Sequence, residues 1–258
     1  MLKEAKPCQH LGKRPLALIV PHAGYVYSGI TAASAFNQLG TDPEIDKVFI
    51  LASSHQMHFP GASVYCSGDY ETPLGTIEVD QITGTNLISA NPLFSCREDA
   101  HLFEHSQEVQ IPFLQIVLNK PFQIIPIVLG TQSIRECASL AVTLSPYFTS
   151  KNLFVVSSDF SHYPAYDDAM EIDRITTQAI LANDPHLLME TLDQNKRKEI
   201  PGLATSLCGW ASVITLLYLT YQVDYQFYWI DYKNSGDHAQ FGDRNRVVGY
   251  SAIAVYEK

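Results

Sequence analysis

The sequence has no CxxC pair, and its five cysteines, Cys8, Cys66, Cys96, Cys137 and Cys208, are odd in number and widely spaced. That pattern excludes a disulfide framework and a structural zinc knuckle, so most of the thiols are expected to be reduced and buried. No apolar run approaches the roughly 20 residues that span a bilayer. The opening stretch "MLKEAKPCQHLGKRP" lacks an apolar h-region and a small-residue cleavage site, which argues against a signal peptide and for a cytoplasmic protein. Positive charge is scarce. Against 27 acidic residues stand 17 basic ones, a formal charge of −10, and the longest basic cluster is "NKRK" at 195–198. Nucleic acid and anionic membrane surfaces are disfavoured as partners by that balance. Internal repeats, low-complexity tracts and linkers are also missing, so the 258 residues read as a single domain, 1–258.

What is present is alternation. Apolar runs recur at 16–20, 47–53, 122–130, 152–159, 225–232 and 247–256. Runs that are apolar on successive positions suit central strands covered on both faces. Helical patterns fall at about 28–38, 81–89, 104–119, 133–146, 167–181, 184–193 and 208–221. Pro112 is expected to kink the third of these or to restart it in a first turn. The alternation predicts an α/β protein, a three-layer α/β/α sandwich around a mainly parallel mixed sheet, with antiparallel pairing open to the last two strands. Residues 61–80 depart from it: short alternating stretches and the turn residues Gly68-Asp69, Pro73 and Gly75 predict a hairpin-like excursion that can wall a cleft.

Polar chemistry collects at the strand ends. "LALIVPH" delivers His22, "KVFILASSH" delivers His55, and "NLFVVSSDFSH" delivers Asp159 and then His162. In a mainly parallel sheet those C-terminal ends lie along one edge, so the side chains can converge. "EDAHLFEHSQE" adds Glu104, His105 and Glu108, with His101 four residues before His105. "ATSLCGWAS" places Cys208 at the expected start of an apolar helix, where the dipole and free N–H groups favour a thiolate.

Each group has a plainer explanation. A lone strand-end histidine is ordinarily a hydrogen-bonded turn residue, and Asp159 could cap the next helix. His101 and His105 have the i, i+4 spacing of a helical metal pair but lack the glutamate of HExxH. His58 reads as structural or as pocket lining, and free cysteines are mostly small buried hydrophobes.

The motifs "PHAGYVYSG", "SSH" after a strand, "YETPLG", "EHSQEVQIPFLQ", "VVSSDFSHY", "CGW" and the closing "VVGYSAIAVY" occur in an order that resembles the Memo family. That family includes the animal mediator of cell motility and the prokaryotic AmmeMemoRadiSam system protein B group. The resemblance spans about residues 15–256 and implies a fold similar to class III extradiol ring-cleaving dioxygenases, which use non-haem iron(II). It implies metal ligation by His22, His55 and Cys208, an acid/base role for His162, and a pocket formed with Asp159, Glu104, His105 and Tyr25. Two departures stand out. The family's additional N-terminal segment is not evident, and the "SHH" common after the second strand is "SHQ" here, with Gln56 in second place.

Two functions follow as expectations. One is a metal-dependent oxidoreductase of dioxygenase type holding iron(II) or copper(I), with zinc the third option. Replacement of a carboxylate ligand by Cys208 argues against ordinary ring cleavage and biases the site towards softer metals. The other is a non-catalytic module that binds a peptide or a metal. A phosphopeptide reader would want an arginine cluster, and near the motifs only Arg244 and Arg246 are available. Family association also implies AMMECR1-like and radical-SAM partner proteins.

Overall fold

Strands that are apolar at every position must be covered on both sides, and here they are. The computed structural model describes residues 1–9, 14–40 and 44–258. Strands β1 (Ala17–Val20), β2 (Lys47–Ser53), β7 (Gln123–Leu129) and β8 (Asn152–Ser157) form a parallel centre in the order β7-β2-β8-β1. Their side chains divide by parity. Ala17, Ile19, Phe49, Leu51, Phe154 and Val156 enter one core, whereas Leu18, Val20, Val48, Ile50, Leu153 and Val155 enter the other.

The first core is roofed by α5 (Ile134–Leu144) and α8 (Trp210–Thr220), through Leu140, Val213 and Leu217 among others. The second is roofed by α1 (Tyr25–Phe36) and α4 (Ile111–Val117). Phe36 and Phe113 stack across those two helices at 5.1 Å and 12°, a contact of about 1 kcal/mol beyond its area burial. The three layers are the predicted sandwich.

The flanking strands complete a mixed sheet. β9 (Tyr225–Asn234) and β10 (Gly249–Glu257) pair antiparallel, and β10 joins β1 antiparallel. On the opposite side β3 (Ala62–Val64) pairs antiparallel with β7, and β6 (Phe94–Ser95) runs parallel to β3. The excursion at 61–80 is therefore divided: its first strand joins the main sheet, while β4 (Tyr70–Thr72) and β5 (Gly75–Ile77) form a separate hairpin.

The helix expected over 104–119 is much shorter. A turn of helix at α3 (Glu98–His101) ends before Glu104, and α4 begins only at Ile111 with Pro112 in its first turn. Proline at that position costs no internal hydrogen bond, because the first-turn N–H groups have no helical acceptor. The residues between, 104–107, are free to follow side-chain demands rather than a helical repeat. Among the described residues, no helix is long and apolar enough to cross a membrane.

Candidate metal centre

The strand order places β8 between β2 and β1, so Asp159 emerges between His55 and His22. Asp159 is buried, and its Oδ1 accepts the backbone N–H of His22 at 2.8 Å and that of Ala23 at 3.3 Å. It thus secures the turn after β1 instead of capping a helix; the following helix, α6 (Tyr166–Leu181), has no side-chain cap. Burial raises the Asp159 carboxyl above the ordinary range.

His22 is held from behind by a hydrogen-bond network that settles its tautomer. The Ser157 hydroxyl donates its single proton to the carbonyl of Ser106 at 2.6 Å and accepts from Gln110 Nε2 at 3.0 Å. Its contact of 2.9 Å with His22 Nδ1 must then be one that the imidazole donates. The Gln110 amide cannot be reversed, since Nε2 also donates to the carbonyl of Pro21 at 3.0 Å. His22 therefore carries its proton on Nδ1 and presents an Nε2 lone pair. Burial, together with the nearby His55 and His105, pushes its pKa down to about 3, so the ring is neutral.

His55 is oriented by a carboxylate. Its Nδ1 donates to Glu104 Oε1 at 2.9 Å and its backbone N–H to Oε2 at 2.9 Å, leaving Nε2 free when the ring is neutral. The side chain of Ser106 donates to the same Oε1 at 2.6 Å. Burial would raise Glu104, but the His55 and Ser106 hydrogen bonds prevail and hold it down at about 2. The reciprocal effect raises His55.

The third ring at this point is His105. His22, His55 and His105 each offer a nitrogen, all within 4.8 Å of one another, and they form a group among the described residues that could hold a metal ion. Ring centroids lie 5.1 Å apart for His22–His55, 5.6 Å for His22–His105 and 5.1 Å for His55–His105. His105, expected as pocket lining or as half of an i, i+4 pair with His101, thus stands with the two strand-end histidines. The i, i+4 partnership with His101 does not form: α3 stops at His101, which is buried against Ser63 Oγ at 3.1 Å and Gln107 at 3.3 Å.

Cys208 adjoins this group through His22, its Sγ lying 3.4 Å from His22 Nε2. Gly209 makes the approach possible, because a Cβ there would meet the Ser158 Cβ at 2.6 Å and the Ser157 carbonyl at 2.8 Å. The expected helix-start thiolate is not the resting form. Burial and the Asp159 charge raise the thiol well above its usual value, and those effects outweigh the hydrogen bond it accepts from the Asp159 N–H at 3.2 Å. The thiol proton is available to the His22 Nε2 lone pair.

His162 lies on the same side. Its backbone bridges Thr205 and Val248, and its buried Nε2 has no hydrogen-bond partner. Burial lowers its pKa, with Asp159, His22 and His55 all close enough to act on it. Tyr163, the next residue, takes a left-handed φ of 75° under the guanidinium of Arg246. Tyr25 lies farther out: its hydroxyl donates to the carbonyl of Val109 at 2.8 Å, and its ring lines a surface cavity with Leu74 and Pro112. A second cavity, of about 360 Å³, is lined by Tyr65, Tyr70, Glu98, His101, Glu104 and Glu108. Ser106, Gln110 and Ser157 were not singled out from sequence, although "EHSQEVQ" and "VVSSD" contain them.

The molecule is therefore an α/β sandwich with a histidine cluster, capable of holding a metal, at the C-terminal edge of its parallel strands. The chain belongs to the Memo-like protein family, whose profile matches residues 1–254. A MEMO1 family protein of Sulfurisphaera tokodaii is 33% identical over 251 residues, covering 96% of this chain and 85% of that protein. One from Sulfolobus acidocaldarius is 34% identical over 238 residues, covering 91% and 80%. Among solved structures, an uncharacterized protein from Escherichia coli K12 shares the fold, with a TM-score of 0.56 at 14% identity over 92% of this chain and 99% of that one.

Proposed function

We infer that this protein binds a transition-metal ion through His22, His55 and His105, with Cys208 placed to join them, and acts as an oxidoreductase of dioxygenase type on a small molecule. The observation that carries the reading is the pair of imidazoles whose Nδ1 atoms are tied to Ser157 and Glu104, which leaves each Nε2 open within a cluster of three rings whose offered nitrogens lie within 4.8 Å of one another. Fixing one ring nitrogen to an oxygen acceptor is how proteins orient and strengthen histidine ligands.

Three imidazoles suit iron, copper or zinc, and a thiolate would bias the set towards copper(I) or zinc. Bound iron(II) or copper(I) would supply oxygen activation. The chain's own residues supply the rest. His162, neutral because it is buried, can take a proton at its unpartnered Nε2. Asp159 holds the His22 backbone and lies close enough to His162 to act on it. The Memo-family resemblance of the sequence motifs, which implies a fold similar to class III extradiol dioxygenases, favours this chemistry by analogy alone.

The test is anaerobic purification with metal analysis, then oxygen consumption in the presence of catechols and other small phenols. His162→Ala is expected to keep the metal and lose oxygen-dependent turnover. Failure of iron(II), copper(I) and zinc alike to bind would overturn the reading. Metal binding without oxygen consumption would favour the non-catalytic peptide- or metal-binding module. For that module a phosphopeptide is a poor fit, because Arg244 and Arg246 are already stacked on Tyr166 and Tyr163.

A further inference from the structure

Two cysteines that the histidine cluster does not use follow neighbouring strands at the β6 edge of the sheet, two residues apart in register. β6 runs parallel to β3, with Ala62 opposite Phe94 and Ser63 opposite Ser95. Cys96 follows directly on its last paired residue, and Cys66 comes three residues after Ser63. Neighbouring strands in such a ladder lie about 4.8 Å apart.

The two segments stay fastened beyond the ladder. Arg97 N–H donates to Ser63 Oγ at 2.9 Å, and the Ser63 hydroxyl donates to the Arg97 carbonyl at 3.1 Å. Further along, the Ser67 hydroxyl donates to the Glu98 carboxylate. Cys66 and Cys96 lie on these two fastened segments, and the Cys66 thiol donates to the Val64 carbonyl at 3.2 Å. Cys96 is exposed and Cys66 half-buried. The flanking residues Tyr65, Ser67 and Glu98 line the cavity of about 360 Å³ that Glu104 also lines.

The geometry points to a reversible disulfide between Cys66 and Cys96 that locks one wall of the cavity beside Glu104. Disulfides need Cα atoms about 4.4–6.8 Å apart. Both cysteines lie just outside regular strands, where the backbone can settle to that spacing. The oxidant is a low-molecular-weight disulfide. The exposed Cys96 thiolate attacks one of its sulfurs and releases one small thiolate, leaving a mixed disulfide. Cys66 then loses its proton to water, attacks the Cys96 sulfur and expels the second small thiol. Two protein thiols are oxidised and one small disulfide is reduced to two thiols. Burial and the adjacent thiol push Cys66 up to about 12, which makes Cys96 the first to react and Cys66 the resolving partner.

The experiment incubates the full chain with glutathione disulfide, quenches with acid, and combines thiol titration with peptide mapping. The five thiols of the sequence are expected to fall by two, to three, with one cross-linked peptide pair containing Cys66 and Cys96. Dithiothreitol should restore all of them. Cys66→Ser should stop at the mixed disulfide, with one glutathione on Cys96. The proposal is overturned if the parent chain also stops there, if all thiols survive, or if the cross-link joins other cysteines. Metal content, measured in parallel, reports on the histidine cluster separately and does not bear on this outcome.

Discussion

Glu104 accepts two hydrogen bonds from one residue, His55, at its backbone N–H and at Nδ1, each at 2.9 Å. The carboxylate thereby fixes both the place of the histidine in the chain and the rotation of its ring. Such a contact exerts its effect on whatever His55 Nε2 binds.

Replacing Glu104 with Gln should therefore weaken metal binding by roughly 10- to 100-fold. The amide retains one acceptor oxygen but cannot hold both His55 groups equally well. Competition with a chromophoric chelator would measure the loss, and circular dichroism would show that the fold persists. An unchanged affinity would mean that Glu104 only supports the loop.

Metal affinity should also depend on pH through His55. His22, pushed down to about 3 by burial, is already deprotonated at neutral pH. His55 is raised by Glu104 and must lose a proton to bind. The sign follows directly: affinity falls as pH drops through the raised His55 value, and above it levels off if the histidines alone bind but keeps rising if Cys208 must also lose its proton. In Glu104→Gln the fall should begin at a lower pH. Isothermal titration in buffers of different ionisation heat would count the protons released.

Cys208 offers a sharper choice. If it joins the histidines, its proton leaves on metal binding, and Cys208→Ser should weaken copper(I) binding strongly while sparing zinc more. Cys208→Asp should shift preference from copper(I) towards iron(II). Equal copper(I) affinity in parent and serine variant would leave His22, His55 and His105 as the whole site and Cys208 as a buried neighbour.

Behind His162 lies a group that should tie stability to pH. Asp173 is fully buried and accepts from the Ser161 N–H at 2.9 Å, the Ser161 hydroxyl at 2.9 Å and the Tyr232 hydroxyl at 2.8 Å. Burial nonetheless raises it to about 7. An unfolded aspartate titrates near 3.9, so between those values the folded chain binds more protons than the unfolded one. This contribution to stability is greatest below about pH 4 and is lost as pH rises to about 7. Asp173→Asn should flatten that part of the urea-midpoint profile. An unaltered slope would show that Asp173 stays ionised when folded.

Much of the site was legible because its first determinants are local. Apolar runs that end in "PH", "SSH" and "SSD" set the positions of His22, His55 and Asp159 at strand ends, and chain direction in a parallel sheet brings those ends to one edge. Periodicity likewise separated strands from helices, and the turn residues of 61–80 marked the hairpin. The strand order that seats Asp159 between the two histidines was beyond such reading, since it depends on which long-range pairings bury the most apolar surface. His105 shows the same division. Its spacing from His101 suggested a helix face, yet Glu104 is drawn under His55 by two hydrogen bonds, and the chain there follows that contact instead of a helical repeat. The tautomer of His22 needed Ser106, Gln110 and Ser157 to meet from three separate segments. The protonation of Cys208 was decided by burial, which outweighed the helix start that the sequence displays. Residue types and their local periods determined which chemistry could assemble; packing decided which atoms face one another and which of them carry a proton.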